Sequence, residues 1–131
     1  MREILFRGMT LSGEWVEGLL TKVKYGKYCG GIFISNRFGA PLAFGVRPET
    51  VGQYTGLKDK NGVKIFEGDI ISCTLSFEGR TLPHIGVVIY SDNIACFCTK
   101  NDAGDTPMLK HCTNTRLIVG NIYENPELME A

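Results

Sequence analysis

Short apolar runs cut by glycine, asparagine and proline set the pattern of this chain. Ile4 and Phe6 alternate with Leu5 and Arg7 as a first strand ending at Gly8. Leu11-Ser12-Gly13 turns the chain, and residues 14–20 return as the second strand of a hairpin. Trp15 is expected at the edge of the core, where its indole N–H can still reach a partner. Lys22 and Lys24 fall on one face and Val23 on the other, a half-exposed stretch. Residues 32–34 read as a buried strand, and residues 41–46 as a fourth with Pro41 at its first position.

The densest run of turn signals lies between Val46 and Ile71. Pro48 and Glu49 suit the first turn of a short helix, which Gly52 and Gly56 stop within about two turns. Asp59-Lys60-Asn61-Gly62 predicts a tight hairpin turn, because Asn-Gly tolerates the positive φ angles it needs. Strands are then expected at residues 64–66, 70–75, 85–90, 94–98 and 116–120, with both histidines, His84 and His111, in the loops between. Asn125 and Pro126 predict an N-cap and first position of a last helical turn.

Strands this short and this evenly spaced predict a mostly β fold of antiparallel strands with one or two short helical turns. Residues 1–50 form an N-terminal β subdomain in this reading. Residues 51–131 form a small SH3-like C-terminal β-barrel, the two packed as one compact unit. Sixteen glycines and five prolines in 131 residues support tight turns over long helices.

Charge narrows the function classes. The formal net charge is zero, so no global field draws the chain to nucleic acid or an anionic membrane. Residues 1–50 carry seven Lys/Arg against four Asp/Glu, whereas residues 51–131 carry seven against ten. No run approaches the roughly 18 apolar residues of a membrane span. The N-terminal four-residue apolar core, with a charge on each side, reads as a strand and not as a signal peptide. Five cysteines, an odd number, at 29, 73, 96, 98 and 112 predict reduced thiols and a cytoplasmic location.

Four constellations could carry chemistry. Glu67-Gly68-Asp69 before an apolar strand could supply an acid/base or metal pair, but a turn tied down by the aspartate explains it better. Cys96-x-Cys98 with His111 and Cys112 could hold zinc, yet the spacing is not that of a zinc knuckle and buried thiols are common in cores. Cys112 with His84 would be a nucleophile pair with no elbow motif around it, and Glu67, Asp69 and His84 together a small hydrolase site. Lys22, Lys24, Lys27, Arg37 and Arg47, with Tyr25, Tyr28, Phe33 and Phe38 interleaved, could hold a single-stranded nucleic acid; a solvated face over buried rings is the plainer reading. There is no Walker loop and no GxGxxG.

Three pieces of the chain resemble the YopX family of small phage and prophage proteins: REILFRG with GEWVEG near the start, PETVGQYTGLKDKNG with IFEGDII in the middle, and VGNIYENPEL at the end. The resemblance implies a mostly β architecture with a small C-terminal barrel and a phage origin, which makes the expected cytoplasm that of a bacterial host cell. It brings no activity and no catalytic residue.

The sequence therefore assigns no catalytic, cofactor-binding or metal residue. The expected function is a non-enzymatic accessory or interaction module that forms a homo-oligomer, binds a protein partner and no membrane. The alternative is a single-stranded nucleic-acid-binding barrel using Lys22, Lys24, Tyr25, Lys27 and Arg37. Gln53, Tyr54, Thr55 and Lys58 have no evident turn role and are the candidate ligand or partner surface.

Overall fold

In the computed structural model, residues 2–24, 31–36, 43–104, 107–112 and 115–130 are described. Among these residues the fold is mostly β, with two antiparallel sheets and helical structure confined to single 3₁₀ turns. The chain divides into two compact units, Met1–Tyr54 and Thr55–Ala131. Tyr25, Lys27, Tyr28, Cys29, Arg37, Phe38 and Pro41 lie outside the described residues.

The first unit holds β1 (Phe6–Met9), β2 (Trp15–Lys22), β3 (Ile32–Asn36), β4 (Ala43–Gly45) and the start of β5 (Gly52–Lys58). Their order is β4-β3-β2-β1-β5. The turn between β1 and β2 is built by Thr10, whose hydroxyl accepts the Glu14 N–H at 3.1 Å and bonds Ser12 at 2.9 Å. Pro48–Thr50 is a single 3₁₀ turn. Its Thr50 hydroxyl accepts the Met9 N–H at 2.8 Å and donates to the Arg47 carbonyl at 2.7 Å. The two-turn helix expected there is replaced by β5, with Gly56 at φ +88° inside the strand as a local irregularity. Leu5, Ile34, Val46 and Tyr54 are buried. Trp15 is half-buried, and the Arg7 guanidinium sits 4.8 Å from its ring centroid.

The second unit holds the rest of β5 with β6 (Lys64–Phe66), and a four-stranded sheet of β7 (Asp69–Phe77), β8 (Arg80–Ser91), β9 (Cys96–Lys100) and β10 (Leu117–Asn121). Its order is β10-β7-β8-β9. Ile71, Cys73 and Val88 from the sheet, Ile65 from β6, and Leu109 and Cys112 form its core, with Leu57, Leu75, Phe97 and Ile118 packed around them. Buried and more exposed positions alternate along β8 from His84 to Val88, whereas Ile70 beside Ile71 on β7 and Cys98 beside Thr99 on β9 are buried in succession, so both faces of the sheet are covered there. Among the described residues the sheet is open: β9 and β10 stand at its two edges with no ladder between them.

Three local expectations change. His84 is buried within β8 instead of lying in a loop. β8 begins at Arg80, and Pro83 takes part in the ladder opposite Thr74. Residues 80–86 pair only with β7, because β9 pairs only with Val87–Ser91. The missing N–H of Pro83 is therefore tolerated on a stretch that is a sheet edge. Asn125 makes no side-chain cap to the Pro126–Met129 turn; its Oδ1 accepts the Asn121 N–H at 3.3 Å instead. No helix among the described residues is long and apolar enough to cross a membrane.

Candidate anion-binding recess

The hairpin turn between β5 and β6 is held by one carboxylate. Asp59 donates its own N–H to the Val63 carbonyl at 2.8 Å, and Gly62, at φ +81°, donates back to the Asp59 carbonyl at 2.9 Å. The Asp59 Oδ1 accepts the N–H groups of Asn61 at 2.9 Å and Val63 at 3.0 Å, while Oδ2 accepts that of Ile118 in β10 at 3.3 Å. Burial pushes this carboxyl up, but the three backbone N–H bonds and the nearby Lys60 outweigh it and hold its pKa below the ordinary value. Asp59 is thus a buried anion whose lone pairs are taken by the backbone.

The same turn is tied to the chain just before β10. The Arg116 Nε donates to the Lys58 carbonyl at 2.8 Å, Nη1 reaches the Cys112 carbonyl at 3.5 Å, and the Lys60 N–H donates to the Arg116 carbonyl at 2.9 Å. Together Lys58, Asp59, Lys60 and Arg116 line a recess of about 340 Å³. Lys58 and Lys60 are exposed, and Arg116 is half-buried. Three cations face one carboxylate already engaged, so the recess can accept an anion. The turn was legible from Asp59-Lys60-Asn61-Gly62. Arg116, which completes the recess, lies 58 residues from Lys58 and carries no local signal.

Among the candidate surface residues, Lys58 rims this recess. Thr55 lines a separate one and spends its hydroxyl on the Ile65 carbonyl at 2.9 Å. In the first unit, Gln53 pairs with Phe6 across the ladder, and Tyr54 is buried with its N–H on the Leu5 carbonyl. Of the nucleic-acid candidates, Lys22 at the end of β2 and Lys24 just beyond it are exposed; Tyr25, Lys27 and Arg37 are outside the described residues.

Two members of the hydrolase constellation, Asp69 and His84, are engaged with other partners. The Asp69 carboxylate is buried and takes the Phe66 N–H at 2.8 Å, closing the turn around Gly68 at φ +91°. His84 Nε2 is paired with the Thr99 hydroxyl at 2.8 Å.

That pair belongs to a buried polar chain which the sequence reading reached only at its ends. Thr99 Oγ1 lies 3.9 Å from Cys112 Sγ, so a threonine bridges His84 and Cys112. Cys112 is also hydrogen-bonded to Cys73, which stands opposite His84 in the β7–β8 ladder. The Cys73 thiol stabilises a Cys112 thiolate against the cost of burial, with Thr99 and Arg116 helping, and brings Cys112 down to about 7. Cys73, held as the donor and buried, is pushed well above the ordinary thiol value.

The two shifts have opposite signs for stability. The depressed Cys112 contributes stability that is complete above the ordinary thiol value of 9.0 and lost as pH falls through about 7. The raised Cys73 contributes stability below 9.0 that is lost at higher pH. Unfolding free energy should therefore rise between pH 7 and 9, by at most about 2 kcal/mol, and fall beyond. Cys73→Ala should abolish the rise. Urea titrations of both proteins at pH 7, 8, 9 and 10 measure it, and a flat wild-type profile would refute the thiol–thiolate pair.

Cys96 and Cys98 sit on one face of β9 with their sulfurs 4.0 Å apart. Burial first, then the bond with Cys96, pushes the Cys98 thiol up to about 11. The zinc set weighed and set aside above, Cys96, Cys98, His111 and Cys112, would have to draw on a Cys112 that is engaged with Cys73 and Thr99. Among the described residues, no group of three or more His, Cys, Asp or Glu side chains could hold a metal ion.

Comparison with known proteins gives the chain a family without giving it an activity. No curated protein matches it. A crystal structure of protein EF1440 from Enterococcus faecalis is similar, at 27% identity over 99% of this chain and 100% of that one, with a TM-score of 0.57. The family described as YopX protein matches residues 10–130. That match spans the middle and C-terminal pieces on which the resemblance rests, and both structural units; the chain belongs to the YopX protein family.

Proposed function

We propose that the protein is a non-enzymatic interaction module that binds an acidic segment of a protein partner at the recess formed by Lys58, Lys60 and Arg116. One observation carries this reading. The groups able to do chemistry are turned inward or spent on backbone, as with Asp59, Asp69, His84 and Cys112, whereas two exposed lysines and an arginine converge on one open recess. A carboxylate-bearing peptide suits this recess better than a nucleic acid does. None of the four lining residues is an aromatic ring on which a base could stack.

Phage origin and the bacterial cytoplasm belong to the same reading. The YopX resemblance supports the first, and the free thiols at Cys73, Cys96, Cys98 and Cys112 support the second. An SH3-like character of the second unit rests on the Asp69 turn that opens its sheet. Self-association is supported by the exposed β4, a three-residue edge strand whose Phe44 is in large part open to solvent.

The test is a fluorescence-anisotropy titration with a labelled glutamate-rich peptide and, in parallel, a labelled single-stranded oligonucleotide, with sedimentation of the same samples. The peptide should bind in a salt-sensitive manner, and the double variant Lys58→Ala, Lys60→Ala should weaken it about five- to thirtyfold, on the order of 0.5–1 kcal/mol for each of two exposed charge contacts. Arg116 is left intact because it also ties the turn. Peptide binding that the double variant leaves unchanged would sink the proposal. Tighter binding of the oligonucleotide, lost in the same variant, would replace it with the nucleic-acid reading.

A further inference from the structure

β9 carries a second feature that the anion recess does not use. Cys96 and Cys98 are two residues apart, so their side chains leave the same face of the strand, and their sulfurs have converged to 4.0 Å. Met108 is the bridge partner of Cys98 on the neighbouring segment. Paired residues of an antiparallel bridge project to the same side, which puts its thioether on the same face as the Cys98 thiol. The segment is fixed there by the Thr99 N–H, which donates to the Pro107 carbonyl at 3.0 Å. Cys98 is fully buried; Cys96 and Met108 line a recess of about 460 Å³ that gives solvent a way in.

We propose that Cys96, Cys98 and Met108 form a copper(I)-binding site with three sulfur ligands. The separation fits this geometry. With metal–sulfur bonds of about 2.3 Å, an ion at the centre of a trigonal plane holds two sulfurs about 4.0 Å apart, whereas a tetrahedral ion draws them to about 3.8 Å. Two thiolates and a thioether are the soft ligands that select copper(I) over harder ions. Zinc would require a fourth ligand in a closed tetrahedron, and the described residues offer no further His, Cys, Asp or Glu to complete one. Lys110 lines the same recess, placing a cation near a complex of net charge −1. Binding is a ligand exchange without redox change: two thiols and one copper(I) ion give the bis-thiolate complex and release two protons.

The experiment titrates the reduced protein, without oxygen, with copper(I) held by bicinchoninate, and reads transfer of the metal from loss of the chelator's colour. X-ray absorption on the loaded protein counts the ligands. The wild type should take up one equivalent bound by three sulfurs. Cys96→Ser should lose the complex, and Met108→Leu should weaken it about tenfold. Cys98 is buried and its replacement could disturb the fold, so the half-buried Cys96 decides the matter, with circular dichroism confirming that the variant is folded. Cys73→Ala should bind copper as the wild type does. The proposal is overturned if the wild type leaves copper with bicinchoninate, if Cys96→Ser or Met108→Leu binds unchanged, or if Cys73→Ala abolishes binding.

Discussion

Asp59→Ala is expected to lower the unfolding free energy by about 2–4 kcal/mol, since each hydrogen bond to a charged acceptor is worth roughly 1.5–3 kcal/mol and water can replace part of this at an exposed turn. Three backbone N–H groups lose their acceptor at once, two in the turn and one on β10. The damage should reach beyond the hairpin. With the Ile118 contact gone, the turn keeps only the Arg116 and Lys60 bonds to the segment before β10, and the recess loses its floor. Asp59→Asn retains one acceptor oxygen and should cost less. The two variants also separate charge from shape. The folded carboxyl titrates below its ordinary value, so its contribution is present above about pH 4 and is lost as pH falls through the folded pKa. Wild-type stability should drop in that acid range, and Asp59→Asn should lack this part of the drop. Urea denaturation from pH 2.5 to 7 measures both. An Asp59→Ala loss no greater than that of an ordinary surface substitution, within about 0.5 kcal/mol, would mean the carboxylate does not hold the turn.

How much of this was open to a reader of the sequence depends on the distance over which each contact acts. The Asp59 turn was legible because its acceptor, its two N–H donors and Gly62 lie within five residues. The Glu67-Gly68-Asp69 turn was legible for the same reason: Asp69 reaches back three residues to Phe66. Where local signals conflict with tertiary pairing, the pairing wins. Gly52 and Gly56 argued for a helix that stops, but β1 offered a ladder partner to Gly52 and Gln53, and the segment became β5. Pro83 and His84 looked like a loop, yet β7 supplied a full-length partner and an edge position that costs proline nothing.

The sites show the same division. Cys96 and Cys98 could be seen together on one strand face, but Met108 joins them only through a bridge ten residues away. Cys112 and His84 could be named as a pair, but the threonine between them could not. Nothing near Thr99 in the chain marks it as a link, and its hydroxyl is recruited by strands that meet only in the folded sheet. Arg116 is the extreme case, since its role depends on a carbonyl 58 residues earlier.

In the first unit the largest single effect is expected at Gly18, in the GEWVEG piece of the chain. Gly18 lies in β2 between Phe6 on one neighbouring strand and Asn36 on the other, and it is buried. A Cβ built there would overlap the Ser35 carbonyl oxygen, with the Ile34 Cγ2 at 3.2 Å. The obstacle is backbone, so no side chain can move aside; β3 itself would have to shift. Gly18→Ala should therefore cost about 3 kcal/mol, the upper end of overpacking, and hydrogen exchange should speed up along β2 and β3 together. Gly13 provides the contrast. It occupies φ +90° in the β1–β2 turn, where an added Cβ meets nothing within 4 Å. Gly13→Ala pays only for an unfavourable backbone angle, on the order of 1–2 kcal/mol, and should leave exchange in β3 unchanged. Equal losses in the two variants, or a Gly18→Ala protein with undisturbed β3 amides, would show that the close approach of β2 and β3 is not what requires glycine at position 18.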